Sequence, residues 1–184
     1  MKRPDDDALL AATAAGDRSA FETFVKRHQA PAFRYLRGLA PDVADAEDAL
    51  QETFLGVWRS ASTYRGGPSA RGWVLTIARN ALRRAYRRHA GEPERFEPLD
   101  ELGVRAGWGR PDDVLDKLAN RDLIARALER VPPEQREVLL LRDIEGMSGN
   151  EVAHVLGLSV PAMKSRLHRA RLELVAGLRE LADA

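Results

Sequence analysis

The chain has 184 residues, with 29 Lys and Arg against 28 Asp and Glu, for a net charge of +1. Apolar residues make up 44% and charged residues 31%, the balance of a soluble globular chain of one domain or two small ones. Cysteine is absent, which excludes a disulfide scaffold, a thiolate zinc site and a cysteine nucleophile.

No run approaches the roughly 18 apolar residues of a membrane span. The start, Met1-Lys2-Arg3-Pro4-Asp5-Asp6-Asp7, turns acidic where a secretion signal needs its apolar core. The expectation is a cytoplasmic protein with no membrane insertion. The small total conceals an uneven distribution: residues 1–90 carry +5, residues 91–120 carry −4 and residues 121–184 are balanced.

Taken in chain order, almost every periodic segment predicts helix, because Ala, Leu, Arg and Glu dominate and β-branched runs are missing. Helices are predicted over 6–15, 17–27, 32–39, 42–61 and 70–89. Breaks fall at Gly16, before Pro41 and in the Gly66-Gly67-Pro68 loop. Residues 90–111 contain Gly91, Pro93, Pro98, Gly103, Gly107, Gly109 and Pro111, too many breakers for a helix, and read as a flexible acidic linker. Helices resume over 112–130, 134–144, 149–156 and 160–181, interrupted by Pro132-Pro133. The predicted fold is all-α: two small helical domains, 1–90 and 112–184, joined by the linker 91–111.

In the C-terminal part, Ser148-Gly149-Asn150-Glu151 has the spacing of a capping box, although Gly149 and Asn150 are poor early-helix residues and predict fraying. Gly157-Leu158-Ser159 makes a turn, Ser159 caps the next helix, and Pro161 sits in its first turn. This is a helix-turn-helix pattern. On the second helix Val160, Met163, Leu167, Ala170, Leu174, Leu178 and Leu181 form an apolar stripe. Its other side begins with Lys164, Ser165, Arg166, His168 and Arg169, and no carboxylate appears until Glu173. A helix entering a major groove needs such donors, for phosphates and for base edges. A solvated basic face on an ordinary helical hairpin would look the same.

The segment from Asp45 to Trp58 places Leu50, Phe54, Val57 and Trp58, with Ala61 beyond, on a core stripe. Asp48, Gln51, Glu52 and Leu55 fall on another face. An acidic face with one apolar residue suits docking onto a basic protein helix and repels DNA, but it also fits a plain solvated face. A metal site is disfavoured, since no histidine lies nearby in sequence. In 72–88, Val74, Ile77, Ala78, Ala81 and Ala85 make the predicted buried stripe. Trp73, Thr76, Asn80, Arg83, Arg84 and Arg87 line the far side. Five arginines between Arg79 and Arg88 favour phosphate neutralisation. Trp73 and Tyr86 either stack on unpaired bases or belong to the core, and Asn80 can bond a base edge.

Together these segments resemble the extracytoplasmic-function (ECF) group of bacterial sigma-70 factors. The run from Asp45 to Trp58 is similar to the conserved-region-two helix that binds the β′ clamp helices of RNA polymerase. Tyr64 to Trp73 with Ile77-Ala78-Arg79-Asn80 resembles the promoter-melting loop and helix. Val131 to Leu141 with the helix-turn-helix resembles conserved region four. One departure is Arg84, where the family often has an acidic residue.

The resemblance implies a dissociable, non-enzymatic initiation subunit without cofactor, metal or catalytic residues, which directs core polymerase to specific promoters under anti-sigma control. It implies polymerase binding through Asp45, Asp48, Gln51, Glu52 and Leu55, with the β flap as a second polymerase contact. Downstream promoter binding and melting would fall to Tyr64, Arg65, Ser69, Trp73, Arg79, Asn80, Arg83 and Arg87. Upstream duplex recognition would fall to Ser159, Lys164, Ser165, Arg166, His168 and Arg169. Two rivals are a stand-alone helix-turn-helix regulator, which needs a dimer surface, and a nucleic-acid enzyme. The second finds no nucleophile–base arrangement among the scattered His28, His89, His154 and His168.

Overall fold

The computed structural model describes residues 5–67, 69–89 and 114–182; the linker prediction over 91–111 lies outside them. All regular structure in the described residues is helical. The N-terminal unit contains α1 (Asp6–Ala14), α2 (Arg18–Arg37), α3 (Val43–Ser60), a 3₁₀ turn (Ala61–Thr63) and α4 (Ala70–His89). The C-terminal unit contains α5 (Val114–Arg130), α6 (Pro133–Leu139), a π-helical turn (Leu140–Ile144), α7 (Gly149–Leu156) and α8 (Val160–Ala182).

Carboxylate caps start the early helices. Asp5, Asp17 and Asp42 each accept a backbone N–H from the first turn that follows, at 2.8 Å from Ala8, Ser19 and Asp45 respectively. The two helices predicted over 17–27 and 32–39 form one continuous α2 with Pro31 inside it. Proline removes one ladder hydrogen bond. The helix persists because Phe24, His28, Ala32, Tyr35 and Leu36 continue a single buried stripe on both sides of the break. The stretch predicted as one helix over 134–144 changes instead to a π-helical turn at Leu140. It closes with Glu145 N–H donating to the Leu140 carbonyl five residues back, at 2.8 Å.

The core departs from the expected pattern in three places. Trp58 leaves the predicted stripe: it is 36% exposed and meets Phe21 edge-on, with ring centroids 5.0 Å apart. Thr53 takes a fully buried place on α3, its hydroxyl donating to the Ala49 carbonyl at 2.6 Å. On α4, Leu75 and Leu82 join Val74, Ala78 and Ala81 as buried residues, a wider stripe than one neighbour requires. The second neighbour is the C-terminal unit. Val131, Val138 to Leu141, Met147, Val152 and Val155 belong to the same apolar cluster as Phe24, Tyr35, Val74 and Leu75. The two units therefore pack directly, with α4 against α7.

Candidate functional site

The helix-turn-helix forms as its sequence dictates. The Ser148 hydroxyl accepts the Glu151 N–H at 3.3 Å and the Glu151 carboxylate accepts the Ser148 N–H at 2.9 Å, so both halves of the capping box are made. Fraying at Gly149 is not observed. A side chain there would meet the Met163 methyl at 3.0 Å, so glycine is what lets α7 and α8 approach. Gly157 ends α7 at φ +66°, a left-handed conformation costly for other residues. Ser159 then caps α8, accepting the Ala162 N–H at 3.3 Å.

Met163, Leu167 and Ala170 are buried beneath α8. Ser159, Lys164, Ser165, His168 and Arg169 are exposed on its other side. Arg169 donates to the Ser165 hydroxyl at 3.3 Å, and Arg166 is half-buried with Glu134 at 3.7 Å. Arg171, which the sequence pattern did not single out, makes a two-point ion pair with Asp143 at 2.7 and 3.0 Å.

On α3, Asp48, Gln51 and Leu55 are exposed, and Asp45 and Glu52 half-buried. Leu55 has 46% of its surface in solvent. Trp58, seven residues after Gln51, extends this face by an aromatic edge. Among the described residues no group of His, Asp and Glu is placed to hold a metal ion, and no helix is long and apolar enough to cross a membrane.

The residues expected on the third surface divide. Asn80, Arg83, Arg87 and Arg65 are exposed, the last donating to the Ser62 carbonyl at 2.7 Å. Trp73 is half-buried and tilts against Tyr64, with centroids 5.0 Å apart. Burial first, then the hydrogen bond to Asp7 at 3.0 Å, pushes the Tyr64 hydroxyl up to about 12. Tyr86 is 40% exposed and donates to the Leu39 carbonyl at 2.8 Å.

Ser69 and Arg79, by contrast, face the C-terminal unit. Ser69 caps α4, accepting the Gly72 N–H at 3.1 Å, and donates to Glu151 at 2.6 Å. Arg79 donates twice to Glu137, at 2.7 and 3.2 Å. Burial works against the Arg79 charge, but the Glu137 bonds outweigh it and raise its pKa.

Sequence reasoning missed the groups that make this junction. Tyr35, wholly buried, donates to Glu137 at 2.7 Å. Burial, then the Glu137 charge, holds its hydroxyl well above the usual range. Glu145 has no exposed side-chain surface and accepts from Arg34 at 2.8 and 3.0 Å, with Arg71 as its second ion-pair partner. The signal was present in the sequence: Glu137 and Glu145 flank the apolar run from Val138 to Leu141, where a carboxylate needs a partner.

Comparison with known proteins places both units. Residues 24–92 match the model of Sigma-70 region 2, and residues 121–174 match Sigma-70, region 4. Those two regions in that order define a chain of the sigma-70 class. The ECF RNA polymerase sigma factor SigM of Mycobacterium tuberculosis is 34% identical over 169 residues, covering 92% of this chain and 82% of SigM. RNA polymerase sigma factor CnrH of Cupriavidus metallidurans is 32% identical over 183 residues, covering 96% of each chain. The solved structure of CnrH in complex with the cytosolic domain of CnrY superposes with a TM-score of 0.70 at 30% identity. That match spans 97% of this chain and 99% of that one. The chain belongs to the ECF RNA polymerase sigma factors, initiation factors that carry no catalytic chemistry of their own.

Proposed function

We propose that this chain joins core RNA polymerase in the cytoplasm, directs it to a specific set of promoters and is restrained by an anti-sigma protein. In this reading residues 1–90 bind polymerase and melt DNA, residues 91–111 connect, and residues 112–184 bind the upstream element. Asp45, Asp48, Gln51, Glu52 and Leu55 dock on the β′ clamp helices, with Trp58 at the end of the same face. The C-terminal unit meets the β flap. Tyr64, Arg65, Ser69, Trp73, Arg79, Asn80, Arg83 and Arg87 hold the downstream element and its unpaired bases, by stacking and phosphate neutralisation. Ser159, Lys164, Ser165, Arg166, His168 and Arg169 contact duplex DNA.

The observation that carries this reading is the division of charge. α3 shows solvent a carboxylate-rich face with an apolar tip, fit for protein. The first half of α8 shows solvent the donors Lys164, Ser165, His168 and Arg169 and no carboxylate, fit for DNA. Anti-sigma restraint is supported by the solved CnrH relative, which is held by CnrY.

The mechanism is bivalent. Each small unit binds its element weakly, and polymerase fixes the two at one separation so that their contributions combine through effective concentration. Run-off transcription with purified core polymerase on a genomic fragment library tests this. The expected result is new start sites dependent on the added chain. Polymerase that initiates at the same places with and without it overturns the reading.

A further inference from the structure

Three successive carboxylates, Asp5, Asp6 and Asp7, have three different partners. Asp5 caps α1 by accepting the Ala8 N–H at 2.8 Å. Asp6 pins α1 to α2, paired with Arg27 and 2.8 Å from His28 Nε2. Asp7 reaches out of this pair of helices and accepts the Tyr64 hydroxyl at 3.0 Å, 57 residues along the chain. Leu9, Leu10 and Thr13 are buried beneath the same short helix. The shelf that carries Asp7 is thus fixed by its apolar underside, by its cap and by the ion pair beside it.

Tyr64 opens the loop that runs from the 3₁₀ turn to α4. Its two ends are held separately. The backbone N–H donates to the Ala61 carbonyl at 3.2 Å, and the hydroxyl donates to Asp7. A tyrosine held by its backbone alone keeps the freedom of its side-chain torsions, and the bond to Asp7 removes it. A hydrogen bond to a carboxylate is of the stronger, charge-assisted kind. With its pKa pushed up to about 12, the hydroxyl keeps its proton and remains a donor. The ring so placed stands against Trp73, with planes at 54° and centroids 5.0 Å apart, a geometry that aromatic pairs favour. Trp73 is fixed by the first turn of α4, where its N–H donates to the Ser69 carbonyl at 3.1 Å.

We propose that Asp7 is a positioning residue for promoter melting. Its carboxylate sets the angle of Tyr64 against Trp73, so that a two-ring platform for an unpaired base is built before DNA arrives. The proposal rests on the assignment of Tyr64 and Trp73 to melted DNA. Asp7 acts through the tyrosine and not on the nucleic acid, whose phosphates a carboxylate repels. A base that stacks on rings already ordered loses less free energy to ordering than one that must arrange them itself.

The test uses holoenzyme assembled from the full chain and core polymerase, at subsaturating concentration, on a promoter fragment recovered by run-off transcription. Permanganate reactivity of unpaired thymines reads the melted fraction. Asp7→Leu removes the acceptor, Tyr64→Phe removes the donor, and the double variant removes both. Asp7→Asn keeps an acceptor oxygen at the same place. Asp7 is exposed, so its replacement leaves the core intact. Circular dichroism and co-elution with core polymerase confirm that each variant folds and assembles.

Asp7→Leu and Tyr64→Phe are each expected to lower the melted fraction about fivefold, the size of one lost hydrogen bond. The double variant is expected to be no worse than either, since both changes delete the same bond. Asp7→Asn is expected to keep most of the parent's melting. A merely structural role for Asp7 would show neither the rescue nor the shared loss. Parent-like melting by Asp7→Leu, losses that multiply in the double variant, or an Asp7→Asn loss equal to that of Asp7→Leu each overturn the proposal. Trp73→Leu separates it from the reading beneath it. Melting lost in Trp73→Leu but kept in Asp7→Leu removes only the positioning role. Parent-like melting in both Trp73→Leu and Tyr64→Phe removes the assignment of the two rings.

Discussion

Arg37 shows how much a single buried charge can cost this fold. It is 3% exposed, and its Nε and Nη1 find no hydrogen-bond partner among the described residues. Burial pulls its pKa below the usual arginine value, against the opposing charges of Asp42 and Glu129. Replacing such a group by an apolar side chain of similar length removes a desolvation penalty without opening a cavity. Arg37→Met is therefore expected to stabilise the chain by about 1 kcal/mol, or roughly 2–4 °C in Tm at this size. Scanning calorimetry decides it, and a lower Tm would mean that the guanidinium is compensated.

Arg169 sits at the opposite extreme, in solvent, with the Ser165 hydroxyl as its hydrogen-bond partner. Its truncation leaves the fold alone. Arg169→Ala is expected to cost holoenzyme about 1–3 kcal/mol of discrimination at one promoter position if the side chain makes a two-point base contact. Competition binding against a set of single-base promoter variants measures it.

At the scale of elements, α1 is held onto α2 by Asp6, which pairs with Arg27 and lies 2.8 Å from His28 Nε2. Burial lowers the His28 pKa below 6.5, more than Asp6 raises it. Its neutral form is thus the folded one. That contribution is whole above the unfolded value near 6.5 and is lost as pH falls through the lowered folded value. Thermal stability should decline between about pH 7 and pH 5, and His28→Gln should flatten the slope. An unchanged slope in the variant would assign the decline elsewhere.

The acidic face of α3 carries a separate prediction. Asp48→Lys with Glu52→Lys should weaken association with core polymerase at least tenfold, about 1.4 kcal/mol, while circular dichroism is unchanged. Binding equal to that of the parent would discard this surface.

Elements were also where the sequence was most readable. The caps, the Gly157 turn and the bounds of α4 follow from local chemistry that operates within one or two turns. The continuity of α2 through Pro31 did not follow. Proline's cost is local, whereas the burial of Tyr35 and Leu36 that outweighs it involves residues a hundred positions away. Trp58 failed for a related reason: helical phase places a residue on a face, and only neighbouring helices decide whether that face is covered. The exposure of Lys164, Ser165, His168 and Arg169 on α8 was legible because, among the described residues, no other helix covers them. Half of the α4 surface was not, since Ser69 and Arg79 found their partners across the chain rather than along it.

For the molecule as a whole, the direct packing of two units changes what each helix end must do, and the π-helical turn after α6 has a consequence for spacing. Glu137 and Glu145 are eight residues apart, which along an unbroken α-helix would splay them by roughly 80° about the axis. The wide turn from Leu140 to Ile144 absorbs one residue. The pair then behaves as if seven apart, within roughly 20° of one line. A single surplus residue thus acts as a shim, aligning two acidic teeth along one edge so that both engage the arginines opposite in the same stroke.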